Sequence, residues 1–203
     1  MKTILVLCLV ALASLVPGNV GQDRTLTPPP SRLLAPFFKE RFGIDQVLGI
    51  EGPHISEIRS FGEFVTGDLS DDFDEKGPRR SGGWLLEQFA AGEKKNFYSF
   101  PAVCVFSLLR GGPIDIHIIE PVSGELTTTT LGGKKDGFVA VIPAGHISAL
   151  KVRKGDVFDF RFALFSLVTT PEIRADDLNF IRRDDLLRRF PQHRDKIIAF
   201  TDE

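Results

Sequence analysis

Seven runs rich in β-branched and aromatic residues follow one another through the second half of the chain, and this cadence limits its fold more than any other feature. They cover residues 84–89, 103–109, 114–119, 126–131, 138–142, 147–152 and 157–168. Gly-Gly, Pro-x-Ser-Gly, Gly-Gly-Lys-Lys, Pro-Ala-Gly and Arg-Lys-Gly-Asp punctuate them. Such side chains suit a pleated, half-buried surface, and the Gly and Pro clusters fall where a chain must reverse. Short strands at this spacing predict an antiparallel sandwich or barrel. Along Ile114, Asp115, Ile116, His117 and Ile118 the alternation turns the isoleucines inward and His117 outward, toward solvent.

The two ends read differently. Residues 184–200 mix charges with an apolar set at Leu186, Leu187, Phe190, Ile197, Ile198 and Phe200. That pattern predicts two short helices broken at Pro191 and packed on the outside of the β domain. Residues 1–21 read as a secretory signal peptide: Lys2, then an apolar run over 4–16, then Pro17, Gly18, Asn19, Val20 and Gly21. Cleavage after Gly18 and cleavage after Gly21 are both open. The run is too short to span a bilayer, and no later stretch reaches membrane length. The expectation is an exported, extracellular protein without membrane insertion. Residues 22–44 form a Pro-rich lead-in with a short helix near 37–43, and 45–203 form the β domain with its helical tail. Acidic residues crowd 61–80; their spacing fits no calcium-binding loop, so a solvated loop is expected there.

Composition narrows the role. The chain is 42% hydrophobic and 26% charged with a formal net charge of −2, which excludes general disorder and any basic field for nucleic acid. Of two cysteines, Cys8 lies in the leader, so Cys104 has no partner for an intrachain disulfide and the core must hold the fold unaided. Cys104 reads as a small buried hydrophobe. Aromatic usage is lopsided, with 18 Phe against one Tyr and one Trp.

Two stretches carry a recognisable spacing. The first is Gly92-x5-Tyr98-x-Phe100-x3-Cys104-x6-Gly111, and the second is Gly137-x5-Pro143-x-Gly145-x2-Ser148. They resemble the two cupin signatures. Further matching pieces are Leu48-Gly-Ile-Glu-Gly, Trp84-Leu-Leu, Gly111-Gly-Pro-Ile-Asp-Ile-His117, Val141-Ile-Pro-Ala-Gly145 and the tail Asp184-Asp-Leu-Leu-Arg-Arg-Phe-Pro-Gln-His193. Together they are similar to the cupin-5 family, a branch whose function is largely unassigned, over roughly residues 45–201. The resemblance implies a mainly β fold, a single cupin-type jelly-roll β-barrel with short N- and C-terminal helices, and a homodimer formed through its sheets.

The resemblance also shows what has changed. Tyr98, Phe100, Cys104 and Ser148 stand in the columns where two histidines, a glutamate and a third histidine would bind the cupin metal. A metal at about 2.0–2.2 Å needs three or four converging N or O donors, typically imidazole and carboxylate. Phe100 offers none, and Tyr98 and Ser148 are poor ligands at neutral pH. A positioned general acid or base is equally lacking. No metal and no cofactor is therefore expected. The candidate pocket lining is Trp84, Phe97, Tyr98, Phe100, Cys104, Phe106, His146 and Ser148. His146 with Cys104 and His54 forms the alternative, a displaced metal site. His193 reads as a helix-terminal packing or hydrogen-bonding residue.

Three functions follow from this reading. The first is an exported non-catalytic cupin-like protein binding a small apolar or amphipathic ligand inside the barrel. The second is an extracellular matrix or structural protein acting through its surface, with the phenylalanines simply filling the interior. The third is a metal-dependent cupin enzyme with a displaced site, which rests on fold analogy.

Overall fold

The computed structural model describes residues 40–44, 46–47, 54–56, 58–65, 73, 78–133, 137–154 and 161–201. The leader at 1–21, the Pro-rich lead-in, the start of the helix near 37–43, the 48–52 match and most of the acidic stretch lie outside the described residues.

The described chain runs β1 (Gln46–Val47), β2 (His54–Ile55), β3 (Arg59–Val65), β4 (Arg79–Ala90), β5 (Lys94–Ser99) and β6 (Val103–Gly111). It continues through β7 (Ile114–Ile119), β8 (Leu126–Leu131), β9 (Val139–Ile142), β10 (Ile147–Val152) and β11 (Phe162–Thr170). A 3-10 turn at Ala175–Asp177 leads into β12 (Asn179–Phe180), followed by helices α1 (Arg183–Arg189) and α2 (Arg194–Phe200). Sheet one has the order β1-β2-β4-β11-β6-β9, with β3 also on β4, and sheet two has the order β12-β5-β10-β7-β8. Every pairing is antiparallel. The fold is a mainly β, jelly-roll-like sandwich. The expected closed barrel is corrected to two facing sheets, which among the described residues do not join into a continuous ring.

The glycines of the first signature have a backbone reason. Gly92 turns β4 into β5 at φ 87°, and Gly111 ends β6 at φ 109°, both in the region that excludes most side chains. A Cβ at Gly111 would also lie 2.1 Å from the Phe162 carbonyl oxygen on β11. Both turns therefore require glycine whatever the interior holds.

Two strands correct the sequence reading. β3 and the start of β4 occupy part of 61–80, where a loop was expected; only the stretch between them belongs to no described strand. β5 was not among the predicted runs, because Lys94-Lys-Asn-Phe-Tyr-Ser99 lacks β-branched residues. It is a strand because β10 and β12 pair with it on either side. Tertiary pairing overrides local propensity here.

Between the sheets lies one core that includes Leu85, Phe89, Tyr98, Phe100, Phe106, Ile116, Leu150 and Phe165. A second core sits on the outer face of sheet two, where α1 and α2 bring Leu186, Phe190, Ile197 and Phe200 onto Phe97, Ile119, Ile147 and Ala149. Pro191 opens the 3-10 turn Pro191–His193 that separates the helices. α1 has Asp184 and Asp185 in its first turn and Arg188 and Arg189 in its last, complementing its dipole.

This second core changes the expected setting of His117. The residue does point outward from sheet two, yet it is only 4% exposed, because α2 covers it. Its ring meets Phe200 edge-on at 4.8 Å, and its Nδ1 shares a 2.8 Å hydrogen bond with Thr128 Oγ1. Burial lowers its pKa from 6.5, the Lys196 ammonium adds to that, and Asp115 opposes both. The unfolded chain therefore takes up this proton first on acidification. The stability it contributes is fully present above pH 6.5 and is lost as the pH falls through the lowered native value. In urea unfolding between pH 6.5 and about 5, His117→Asn is expected to show a shallower loss of stability than the natural chain. Equal slopes would contradict the assignment.

Candidate functional site

The interior site is built by β4, β5, β6 and β10. Ser148 on β10 is opposite Tyr98 on β5, so the two side chains share the inner face. Cys104 on β6 lies between Ile142 of β9 and Thr169 of β11 in the facing sheet. Tyr98 and Phe100 meet edge-on at 5.3 Å. Phe106 stands 5.5 Å from Phe165, which is itself stacked 5.5 Å from Phe89. Tyr98, Phe100, Cys104, Phe106 and Ser148 are thus on the inner side, and all are at most 7% exposed.

Three expected lining residues are elsewhere, and the lining is corrected accordingly. Trp84 faces outward from sheet one and packs with Ile44, Leu86, Phe162 and Leu164. Phe97 lies under the helices, 6.0 Å from Phe200. His146 is half-buried on the turn before β10, its Nδ1 3.3 Å from the Ala144 carbonyl oxygen. It lies short of the paired strand, so it does not continue the inward row begun by Ser148. His54 lies on β2, and its side chain is outside what the structure describes. His193 does what its sequence position suggests, with Nε2 donating to the Gly124 carbonyl at 2.7 Å.

The interior also holds two charges that the sequence reading did not single out. Lys95 Nζ on β5 donates to Glu87 Oε1 at 3.2 Å and Oε2 at 3.4 Å, joining one sheet to the other. Both side chains are at most 2% exposed. The ammonium lies 4.3 Å from the centre of the Tyr98 ring and 5.9 Å from that of Phe100, a cation–π setting. A β-bulge creates this arrangement. Between Ser148 and Leu150, two steps on β10 match the three from Tyr98 to Lys95 on β5. Lys95 and Tyr98 therefore both face inward, although regular alternation would place them on opposite sides.

Electrostatics then fix the protonation states. Burial, with the Glu87 carboxylate next, raises the Tyr98 phenol well above its ordinary 10.0, while the Ser148 hydroxyl pulls weakly the other way. Tyr98 Oη nevertheless has no partner in good hydrogen-bond geometry, nor has Thr169 Oγ1. Burial pushes the Cys104 thiol up to about 12, against a downward pull from Lys95. Its Sγ leans on the Ala102 carbonyl at 3.7 Å. At neutral pH the interior thus presents a phenol, a thiol, a hydroxyl and an ammonium already paired with its carboxylate.

That donor set does not fit a cupin metal. Phe100 has no lone pair, Tyr98 and Cys104 hold their protons, and the Glu87 carboxylate is engaged by Lys95. A divalent cation here would also meet the Lys95 charge at close range. Among the described residues, no group of three or more His, Cys, Asp or Glu side chains is placed to hold a metal ion.

No family model matches the chain, and no curated protein does. Solved structures do. A hypothetical protein from Leishmania major superposes with a TM-score of 0.71 at 18% identity, covering 83% of this chain and 99% of that one. A protein from Shewanella oneidensis gives 0.64 at 22% identity, covering 83% and 97%. These two likenesses establish the shared fold. Oxalate decarboxylase from Bacillus subtilis is a remoter neighbour, with a TM-score of 0.42 at 10% identity over 60% of this chain and 31% of that one.

Proposed function

We propose that this chain is an exported, non-catalytic cupin-like protein of the cupin-5 kind, in which the space between the sheets is a structural core and contacts with ligands or partners are made at the surface. The observation that carries the reading is the Glu87–Lys95 ion pair, packed against Tyr98 and Phe100 at the positions where the resemblance puts metal ligands. An ammonium fixed there supplies the interior's positive charge from the chain itself. The rings of Phe89, Phe165 and Phe106, in successive contact at 5.5 Å, support a filled interior over a hollow one. Export rests on the pattern of residues 1–21, and a homodimer on the family resemblance.

One observation favours a second reading, in which a small amphipathic molecule is held inside. Tyr98 Oη and Thr169 Oγ1 are buried without partners, and such groups usually find a water or a ligand hydroxyl. Mass spectrometry of the natively purified protein, with elemental analysis, separates these possibilities. The structural reading expects no metal approaching one equivalent and no co-purifying organic molecule. A stoichiometric metal would overturn the non-catalytic proposal, and a stoichiometric organic ligand would replace it with the second reading.

A further inference from the structure

A groove of about 490 Å³ opens at the β12 edge of sheet two, away from the interior. Its lining includes Ser99, Asn179, Phe180, Arg182, Arg188 and Arg189, together with Asp185. The volume falls within the range of small-molecule pockets. Its charge runs against the rest of the molecule: three guanidiniums face one carboxylate in a chain whose formal net charge is −2.

The functional groups are as one-sided as the charge. Asp185 Oδ1 accepts from Arg188 at 2.7 Å, so that carboxylate is answered on its own helix and two further guanidiniums remain in the lining. Arg189 is steadied over the Phe190 ring at 5.0 Å. Arg182 is exposed, and its guanidinium has no hydrogen-bond or ionic partner among the described residues. Asn179 lies directly opposite Ser99 in the β12–β5 pairing, so an amide and a hydroxyl stand side by side on one rim. Phe180 follows Asn179 on the strand and turns the other way, opposite Tyr98 on the inner side of sheet two. Phe180 is 47% exposed, yet its ring is held edge-on against the buried Tyr98 at 6.3 Å. Guanidinium, amide and hydroxyl donors gathered in one groove suit an acceptor-rich, anionic group.

We infer that this groove binds a small oxyanion, a carboxylate or a phosphate ester. Arg182 supplies the uncommitted charge, Arg188 and Arg189 the surrounding positive potential, and Ser99 and Asn179 the neutral hydrogen bonds. Binding in this groove does not depend on how the space between the sheets is filled.

Titrating the full mature chain with benzoate and with phenyl phosphate, followed by amide chemical shifts, tests the site. Both probes are expected to shift Ser99, Asn179 and Arg182, and the tighter of the two identifies the headgroup class. Benzyl alcohol, which keeps the ring and lacks the charge, is expected to bind at least about tenfold more weakly. Arg182→Ala, at an exposed position, is expected to weaken both anions about tenfold while leaving the urea midpoint unchanged. Shifts absent from this groove, or an Arg182→Ala protein that binds both anions as well as the natural chain, would overturn the inference.

Discussion

Lys95→Met is expected to lower the free energy of unfolding by about 3–5 kcal/mol, because it leaves the Glu87 carboxylate buried between the sheets without its counter-ion. Glu87→Leu should cost a similar amount by stranding the ammonium. The double variant is expected to recover most of the loss, since a buried ion pair replaced by apolar side chains of similar size is often neutral or better. Urea denaturation of the four proteins forms a double-mutant cycle that reads the coupling directly. Losses that simply add would mean that the 3.2 Å contact contributes little coupling, and the interior charge would lose its structural role.

A comparably large effect is expected at a second fully buried ion pair. Arg79 at the start of β4 donates from Nη1 and Nη2 to the two Asp177 oxygens at 2.8 and 3.0 Å, with both side chains 0% exposed. Asp177 also accepts the Arg174 backbone N–H at 2.7 Å, and Arg79 lies over the Phe73 ring at 5.3 Å. The pair clips β4 to the 3-10 turn through which the chain passes from β11 in sheet one to β12 in sheet two. Asp177→Asn keeps the size and removes the charge, leaving Arg79 uncompensated. About 3–5 kcal/mol should be lost, with Tm falling on the order of 10 °C in a thermal scan. A shift within the range of ordinary surface substitutions would show that the arginine finds solvent by rearrangement.

Much of the sheet structure was legible because its signal is local. The run at 114–119 and the one at 147–152 coincide with β7 and β10, since β-branched residues and flanking Gly and Pro fix where such strands start and stop. The break at Pro191 was legible for the same reason. β5 was not, because its residues become a strand only through pairing with β10 and β12. His117 shows a related shortfall: alternation gives the side of a sheet, while solvent access depends on what later folds over it, here α2.

In the site, the motif offsets gave the inward direction of Tyr98, Phe100, Cys104 and Ser148, which depends on strand parity. Glu87 carried a signal that could have been read. It shares parity with Leu85 and Phe89, in an inward row that is otherwise apolar there, so an inward carboxylate needed a partner. Lys95 carried none, because parity counted back from Tyr98 assigns it to the opposite face. Trp84 and Phe97 were misplaced for a simpler reason: large aromatics mark burial, and this molecule buries part of each outer face as well as the middle.

The extra residue accommodated opposite Ser148–Leu150 means that the polarity of this protein's centre hinges on chain length as well as on side-chain identity. Deleting Asn96 would leave Lys95 two places before Tyr98, so an even pleat would keep the ammonium inward without any irregularity. A comparison of homologues that tolerates no gap at that point would match every letter and still misjudge which of them carry a positive charge at their heart.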